Sequence, residues 1–449
     1  MTVPPTEAAS AEDRLDRSIG AWALGANAVN LTVAAGIFAL PAVVAAVLGS
    51  AAVLAYLICA ALIVLVLGCF AEVGSQVTTS GGAIAYVEEA FGPFAGFLTW
   101  AVLGVGFSVA SDAAIANVMV DSLASILPAL GGRAARVTLL VATFALLAAV
   151  NIRGVRQGTR LSIVTTVAKL LPLVLIVVLG AFLVQPHNLT WAGWPSGSQL
   201  GAAALVLFFA FCGAESALMP SGEIRDPART VPRGMLGAAA TIALLYIALQ
   251  LTAQGVLGSE LATHADAPLL AVADRIAGAP GRGVVLVCIV VAIFGALAAD
   301  MIGAPRGFLA AAESGMLPRS LAKLHPRFRT PWISIIAFAV LTLLTALSGA
   351  FRQLAVLSSM ALLLVYLGVC LAALKLRYTR PRPAGAFRMP GGPVPALLAS
   401  ATVVWLLAHS TLLEAISMAA FVALAIFYYV VRRGSRRDVR AGPAVASEV

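Results

Sequence analysis

Residues 208–220 read "FFAFCGAESALMP", a run apolar enough for a lipid bilayer that nevertheless holds a glycine, Gly213, a carboxylate, Glu215, and a closing proline, Pro220. Residues 30–42, "NLTVAAGIFALPA", follow the same plan, with small residues ahead of Gly36 and then Pro41. Helices break most easily at glycine and proline. Non-helical backbone survives at membrane depth only where it is buried in protein or lines a cavity. The two interruptions lie five apolar segments apart. Interrupted segments at corresponding positions of two halves point to an inverted-repeat secondary transporter, whose broken helices meet at the bilayer midplane and form the binding site. The plainer alternative is that glycine and proline are simply common in membrane helices.

The rest of the chain supports a membrane setting. Of its 449 residues 61% are hydrophobic and 11% charged, against about 25% charged in soluble domains. Crossing a hydrocarbon core takes about 20 mainly apolar residues, and twelve such runs follow one another: 20–48, 50–73, 94–127, 134–151, 159–184, 199–219, 234–257, 282–310, 331–348, 353–374, 393–409 and 412–431. Barrel strands would alternate over segments of about ten residues; these runs are continuous, so the expected fold is an all-α integral membrane protein. The expected organisation is a tail (1–18), a first five-helix repeat (19–184), a second (199–374), two further helices (393–431) and a second tail (432–449). Two connecting stretches, 80–97 and 313–332, combine helical spacing, charges and breakers, and each reads as a short amphipathic helix.

A sequence pI of about 9.8 raises nucleic acid as a partner, but the location of the charge argues against it. With the N-terminus inside and twelve spans, 23 of the 29 basic residues fall on the cytoplasmic side and 5 outside, leaving Lys169 in mid-membrane. The positive-inside rule therefore accounts for the basicity, and it places both termini in the cytoplasm of a multi-pass cell-membrane protein. The first 18 residues lack the pattern of a signal peptide. The five cysteines (Cys59, Cys69, Cys212, Cys288, Cys370) sit in apolar runs without metal-ligand spacing, so they read as small buried hydrophobes. No nucleophile, phosphate loop or metal cluster suggests an enzyme, and no cofactor is expected.

Five ordered stretches, "AAGIFALPA", "SGGAIAYVEEAFGPFAGF", "NIRGVRQGTR…TTVAKL", "FFAFCGAESALMPSGEIRDPARTVPRGM" and "PRGFLAAAESGMLPRSLAKLHPRFRTP", closely resemble the signatures of amino acid permeases of the amino acid–polyamine–organocation superfamily. The resemblance runs from about residue 18 to 430. It implies twelve helices with a 5+5, LeuT-like inverted repeat, broken helices 1 and 6, and helices 11 and 12 outside the repeat. It also implies that the amides of Ala35, Gly36 and Ile37, with Ala34 before them, take a substrate carboxylate, as freed N–H groups at a helix start suit an anion. Here Ala34 and Ala35 stand where relatives carry glycine and serine or alanine, so no hydroxyl assists. Carbonyls near Phe209, Ala210 and Phe211 would take the ammonium, and Phe209 occupies the place of an aromatic lid; the alternative is a packing phenylalanine.

The intramembrane charges are the other candidates, because each costs at least a few kcal/mol unless paired, hydrogen-bonded or neutral. Glu215 matches a glutamate implicated in proton coupling in relatives similar to arginine/agmatine antiporters; alternatively it only holds the break. Lys169 matches a lysine filling the space that sodium occupies in sodium-coupled relatives, and a Lys169–Asp300 pair is expected. Asp112 either faces the pocket, as a contact for a cationic substrate, or faces a neighbouring helix. Glu72, Asp121 and Glu414 lie nearer span ends and read as interfacial. The resulting expectation is an amino acid transporter, proton-coupled or exchanging, with neutral substrates favoured. The alternatives are a cationic amino acid or polyamine carrier and, from another class, a non-transporting sensor on a transporter fold. Oligomeric state is open.

Overall fold

The computed structural model describes residues 18–440 apart from residues 35, 78, 154–158, 192, 266, 314, 350, 382 and 384. Residues 1–17 of the first expected tail and 441–449 of the second lie outside the described residues. Among those described, the chain is helical throughout, and its one β-type contact is an isolated parallel bridge between Ile19 and Ile224. The helices are α1 (Ala21–Thr32), α2 (Gly36–Leu48), α3 (Val53–Gly74), α4 (Ala83–Phe91), α5 (Pro93–Trp100), α6 (Ser108–Ile126), α7 (Arg133–Arg153), α8 (Thr159–Gly180), α9 (Gly197–Leu207), α10 (Pro227–Leu257), α11 (Pro268–Glu313), α12 (Trp332–Ser348), α13 (Phe351–Thr379), α14 (Val394–Leu407) and α15 (Leu412–Arg440). Eight helical segments are long and apolar enough to cross a membrane, and three shorter apolar helices accompany them.

Local chemistry explains the interruptions. The first apolar run splits between Thr32 and Gly36 into α1 and α2, and the sixth leaves α-helix after Leu207. From there, Phe208–Phe211 form a 3₁₀ turn, Cys212 is extended, Gly213 takes φ 118°, and Ala214–Leu218 form another 3₁₀ turn. Only glycine adopts the Gly213 conformation without strain. The third run is continuous but widens into a π-helix over Ala101–Phe107, between α5 and α6.

Some boundaries differ from expectation. The stretch 80–97 does form a helix, α4, which Gly92 (φ 89°) ends so that Pro93 can start α5. Among the described residues the stretch 313–332 holds one 3₁₀ turn, Arg319–Ala322, between the end of α11 and the start of α12, as Pro318, Pro326 and Pro331 each remove a backbone donor. α10 starts at Pro227 and carries Pro232 inside it, so Pro227 alone sets that boundary. α11 begins well before residue 282, with a non-helical bend at Gly278.

The core lies where α1, α3 and α10 pack together, with α2 against α9 and α13 against α3 and α6. Large side chains fill it: Tyr56, Tyr246, Tyr366, Phe70, Phe208 and Phe211 are all buried. By contrast α15 keeps Leu413, Leu424 and Phe427 exposed, the composition of a surface suited to lipid.

Candidate substrate site at the two helix breaks

The two breaks meet in contact. A Cβ on Gly36 would stand 2.8 Å from the Ala210 Cα and 3.0 Å from the Phe209 ring. A Cβ on Gly213 would stand 2.7 Å from the Leu31 carbonyl oxygen. Each glycine is thus the gap through which the other broken segment passes. Tyr246, from α10, braces the crossing by donating to the Thr32 carbonyl at 3.1 Å.

Gly36 and Ile37 occupy the first turn of α2, where the helical ladder supplies no acceptor for their amides. Ala34 is half-buried beside them, and Ala35 lies outside the described residues. Across the gap, Phe209 is buried with its ring edge-on to Phe351 at 5.9 Å, and Ala210 lies directly against Gly36. The Phe209 carbonyl already accepts the Cys212 amide at 3.3 Å. Phe211 turns its ring toward Tyr246 at 5.1 Å and Tyr56 at 6.4 Å, so its side chain serves packing.

Glu215 is 2% exposed. Its Oε2 accepts the Gly213 amide at 3.1 Å and the Tyr366 hydroxyl at 2.5 Å, while Oε1 has no protein partner. The carboxylate therefore caps the break in its own segment and ties it to α13. Tyr366 was invisible to sequence reading: it sits in an unremarkable apolar run, and only the packing of α13 brings it there.

Lys169 and Asp300 do not pair in this conformation. The Lys169 ammonium donates to the Asn30 carbonyl at 2.8 Å, one turn's end before the first break. The last turn of α1 leaves carbonyls outside the helical ladder at the break, and that of Asn30 takes the ammonium; Asp300 lies on α11, which packs against α6. Asp112, on α6, is 3% exposed and its Oδ2 has no protein partner. Asp300 is an electrostatic neighbour of Asp112 and of Glu215.

Glu72, near the end of α3, is buried in a two-pronged pair with Arg377: Nε to Oε1 at 2.7 Å and a terminal nitrogen to Oε2 at 2.8 Å. The Met389 amide adds a third bond to Glu72 at 3.0 Å. Asp121 is half-exposed and pairs with Arg136 at 2.5 Å.

A multi-pass helical membrane protein with two interrupted helices crossing around unpaired backbone and buried acids has the make-up of a membrane permease. The chain belongs to the amino acid permease family of the amino acid–polyamine–organocation superfamily, whose profile matches residues 19–437. It is 28% identical over 372 residues to the serine/threonine exchanger SteT of Bacillus subtilis, covering 81% of this chain and 84% of that one. It is 24% identical to the branched-chain amino acid permease BcaP of the same organism, covering 86% of each. To the vacuolar cationic amino acid transporter 4 of Arabidopsis thaliana it is 24% identical, over 82% of this chain and 64% of that one.

Proposed function

We propose that this permease is a secondary active transporter that moves amino acids by alternating access, binding them at the crossing of the two breaks. The contact of Gly36 with Ala210 and of Gly213 with Leu31 carries the reading. The first turn of α2 and the backbone of Phe209–Phe211 carry opposite partial charges of the kind that suit an α-carboxylate and an α-ammonium. Phe209, whose ring lies against Gly36, is the lid. α1–α8 form the first five-span repeat and α9–α13 the second, α14 and α15 complete twelve crossings, and both termini are cytoplasmic in the cell membrane. The relatives named for serine and threonine, branched-chain and cationic amino acids support an amino acid substrate.

Coupling is to protons or to exchange. The Lys169 ammonium bonded to the Asn30 carbonyl occupies backbone that a sodium ion would need, and Glu215 is the proton-carrying group, buried with one oxygen still unpartnered. The test is uptake of labelled amino acids into proteoliposomes with an inward proton gradient, an inward sodium gradient, or an internal amino acid load. Stimulation by protons or by the load is expected. Stimulation by sodium alone would refute the coupling, and unchanged proton-driven uptake by Glu215→Gln would remove Glu215 from it.

A further inference from the structure

A cleft opens away from the crossing, at the connection between α10 and α11. Its volume is about 340 Å³, and Ser125, Glu260, His264, Asp274, Arg275 and Arg282 line it, with the buried Leu257 and Leu270 among its apolar walls. None of its lining residues belongs to α1, α2 or the 208–218 break, so it is separate from the proposed transport site. A free amino acid fits a space of this size, which lies at the lower end of the range for small-molecule pockets.

The chain folds back to build this cleft. In a straight helix Asp274 and Arg282 would stand about 12 Å apart along the axis. Gly278, at φ 63° and ψ −156°, bends α11, and a Cβ on Gly281 would stand 2.7 Å from the Ala273 carbonyl oxygen. The reversal brings Arg282 Nε to 3.9 Å from Asp274 Oδ1, and both side chains line the same cleft as Glu260, on the 3₁₀ turn Gly258–Thr263.

The lining carries charge of both signs that the protein does not consume. Asp274 and Arg282 are about half-exposed and make only that long pair. Glu260 and Arg275 form no ion pair among the described residues. A simple cation here would face two guanidiniums, and a simple anion two carboxylates. The described residues also offer no group of three metal-ligating side chains. A ligand that bears an ammonium and a carboxylate on one carbon satisfies both signs by charge-assisted hydrogen bonds, and the apolar walls receive its side chain.

We propose that this cleft is a second amino acid site, on the outer face, in which Arg275 and Arg282 take the α-carboxylate and Glu260 and Asp274 the α-ammonium. The inference rests on the reading of the protein as an amino acid transporter with cytoplasmic termini, which places the α10–α11 connection outside. The turn bearing Glu260 packs against α2, the half-helix that follows the first break, so a ligand held here stands one element away from the crossing.

The test is protection of an introduced cysteine. Ala265 is exposed and lines the cleft. Ala265→Cys is labelled in intact cells with a membrane-impermeant maleimide and compared with the parent chain, in which Cys288 is the one free cysteine that is not fully buried. Serine, leucine and arginine should each slow the labelling, whereas ethanolamine, which lacks the carboxylate, and lactate, which lacks the ammonium, should not. Glu260→Gln and Arg275→Gln should each raise the half-protecting concentration about tenfold, the effect of losing one charge-assisted bond. Added salt should raise it too, because exposed charges are screened. In parallel, equilibrium dialysis of the purified wild-type chain against the labelled amino acid that protects best should give two bound per chain, a readout that needs no variant to fold. No protection by any amino acid, protection by ethanolamine or lactate as strong as by serine, or one bound amino acid per chain that Glu260→Gln and Arg275→Gln leave in place would overturn the outer site and leave the transport reading standing. Protection in a chain that takes up no amino acid in proteoliposomes would overturn the transport reading and keep the cleft as a binding site. No labelling of Ala265→Cys from outside would overturn the orientation and the proposal with it.

Discussion

Tyr366→Phe removes one atom, the hydroxyl that donates to Glu215 at 2.5 Å, and leaves a ring that still packs edge-on against Phe70 and Phe208. A hydrogen bond to a charged partner contributes about 1.5–3 kcal/mol and one between neutral groups about 0.5–1.5. If Glu215 is ionised, the change therefore costs about 1.5–3 kcal/mol in the wild-type background and about 0.5–1.5 where Glu215→Gln has made the partner neutral. With an unfolding entropy of about 2.1 cal/mol/K per residue, the first figure lowers the melting temperature of a chain this long by about 2–3 °C, and the second by about 1 °C. Cys59, Cys69, Cys212 and Cys370 are free and buried, so a thiol-reactive dye reports the transition directly. Equal shifts in the two backgrounds would refute a charge-assisted bond and reduce Tyr366 to a packing residue.

Gly213→Ala forces a side chain into φ 118° and against the Leu31 oxygen; a left-handed backbone costs about 1–2 kcal/mol and overpacking about 1–3 more, so a fall of several degrees on the same dye assay is expected together with loss of uptake. Glu72→Gln breaks the buried pair with Arg377 and should destabilise by about 3–5 kcal/mol, whereas Glu72→Leu combined with Arg377→Met should cost less than either single change; chemical denaturation in mild detergent compares them. Lys169→Met removes the bond to the Asn30 carbonyl, worth about 1.5–3 kcal/mol, and is expected to reduce the initial rate of uptake at least tenfold with little change in expression; an unchanged rate would mean that this bond does not select a transport conformation.

Much of the site was legible in the chain because its signals are local. Gly36 and Gly213 stand out as breakers in apolar runs, and a carboxylate at Glu215 or an ammonium at Lys169 is conspicuous at that depth whatever surrounds it. Partners are another matter. The Lys169–Asp300 pair was expected from the family resemblance, yet the lysine donates to the freed carbonyl of Asn30. A backbone carbonyl exists at every position, so no residue type announces the one that a broken helix leaves free.

What the sequence determined by itself was the membrane setting, the helical class, the two breaks and the family, since apolar length, periodicity and glycine placement act within a few turns of chain. What only the tertiary structure decided was which groups face one another: Tyr366 on Glu215, Arg377 on Glu72, and Lys169 on the Asn30 carbonyl. These meetings depend on the rotation of each helix about its axis and the angle at which it crosses its neighbours. Both are set by the summed packing of many apolar side chains, and no short stretch of sequence encodes that sum.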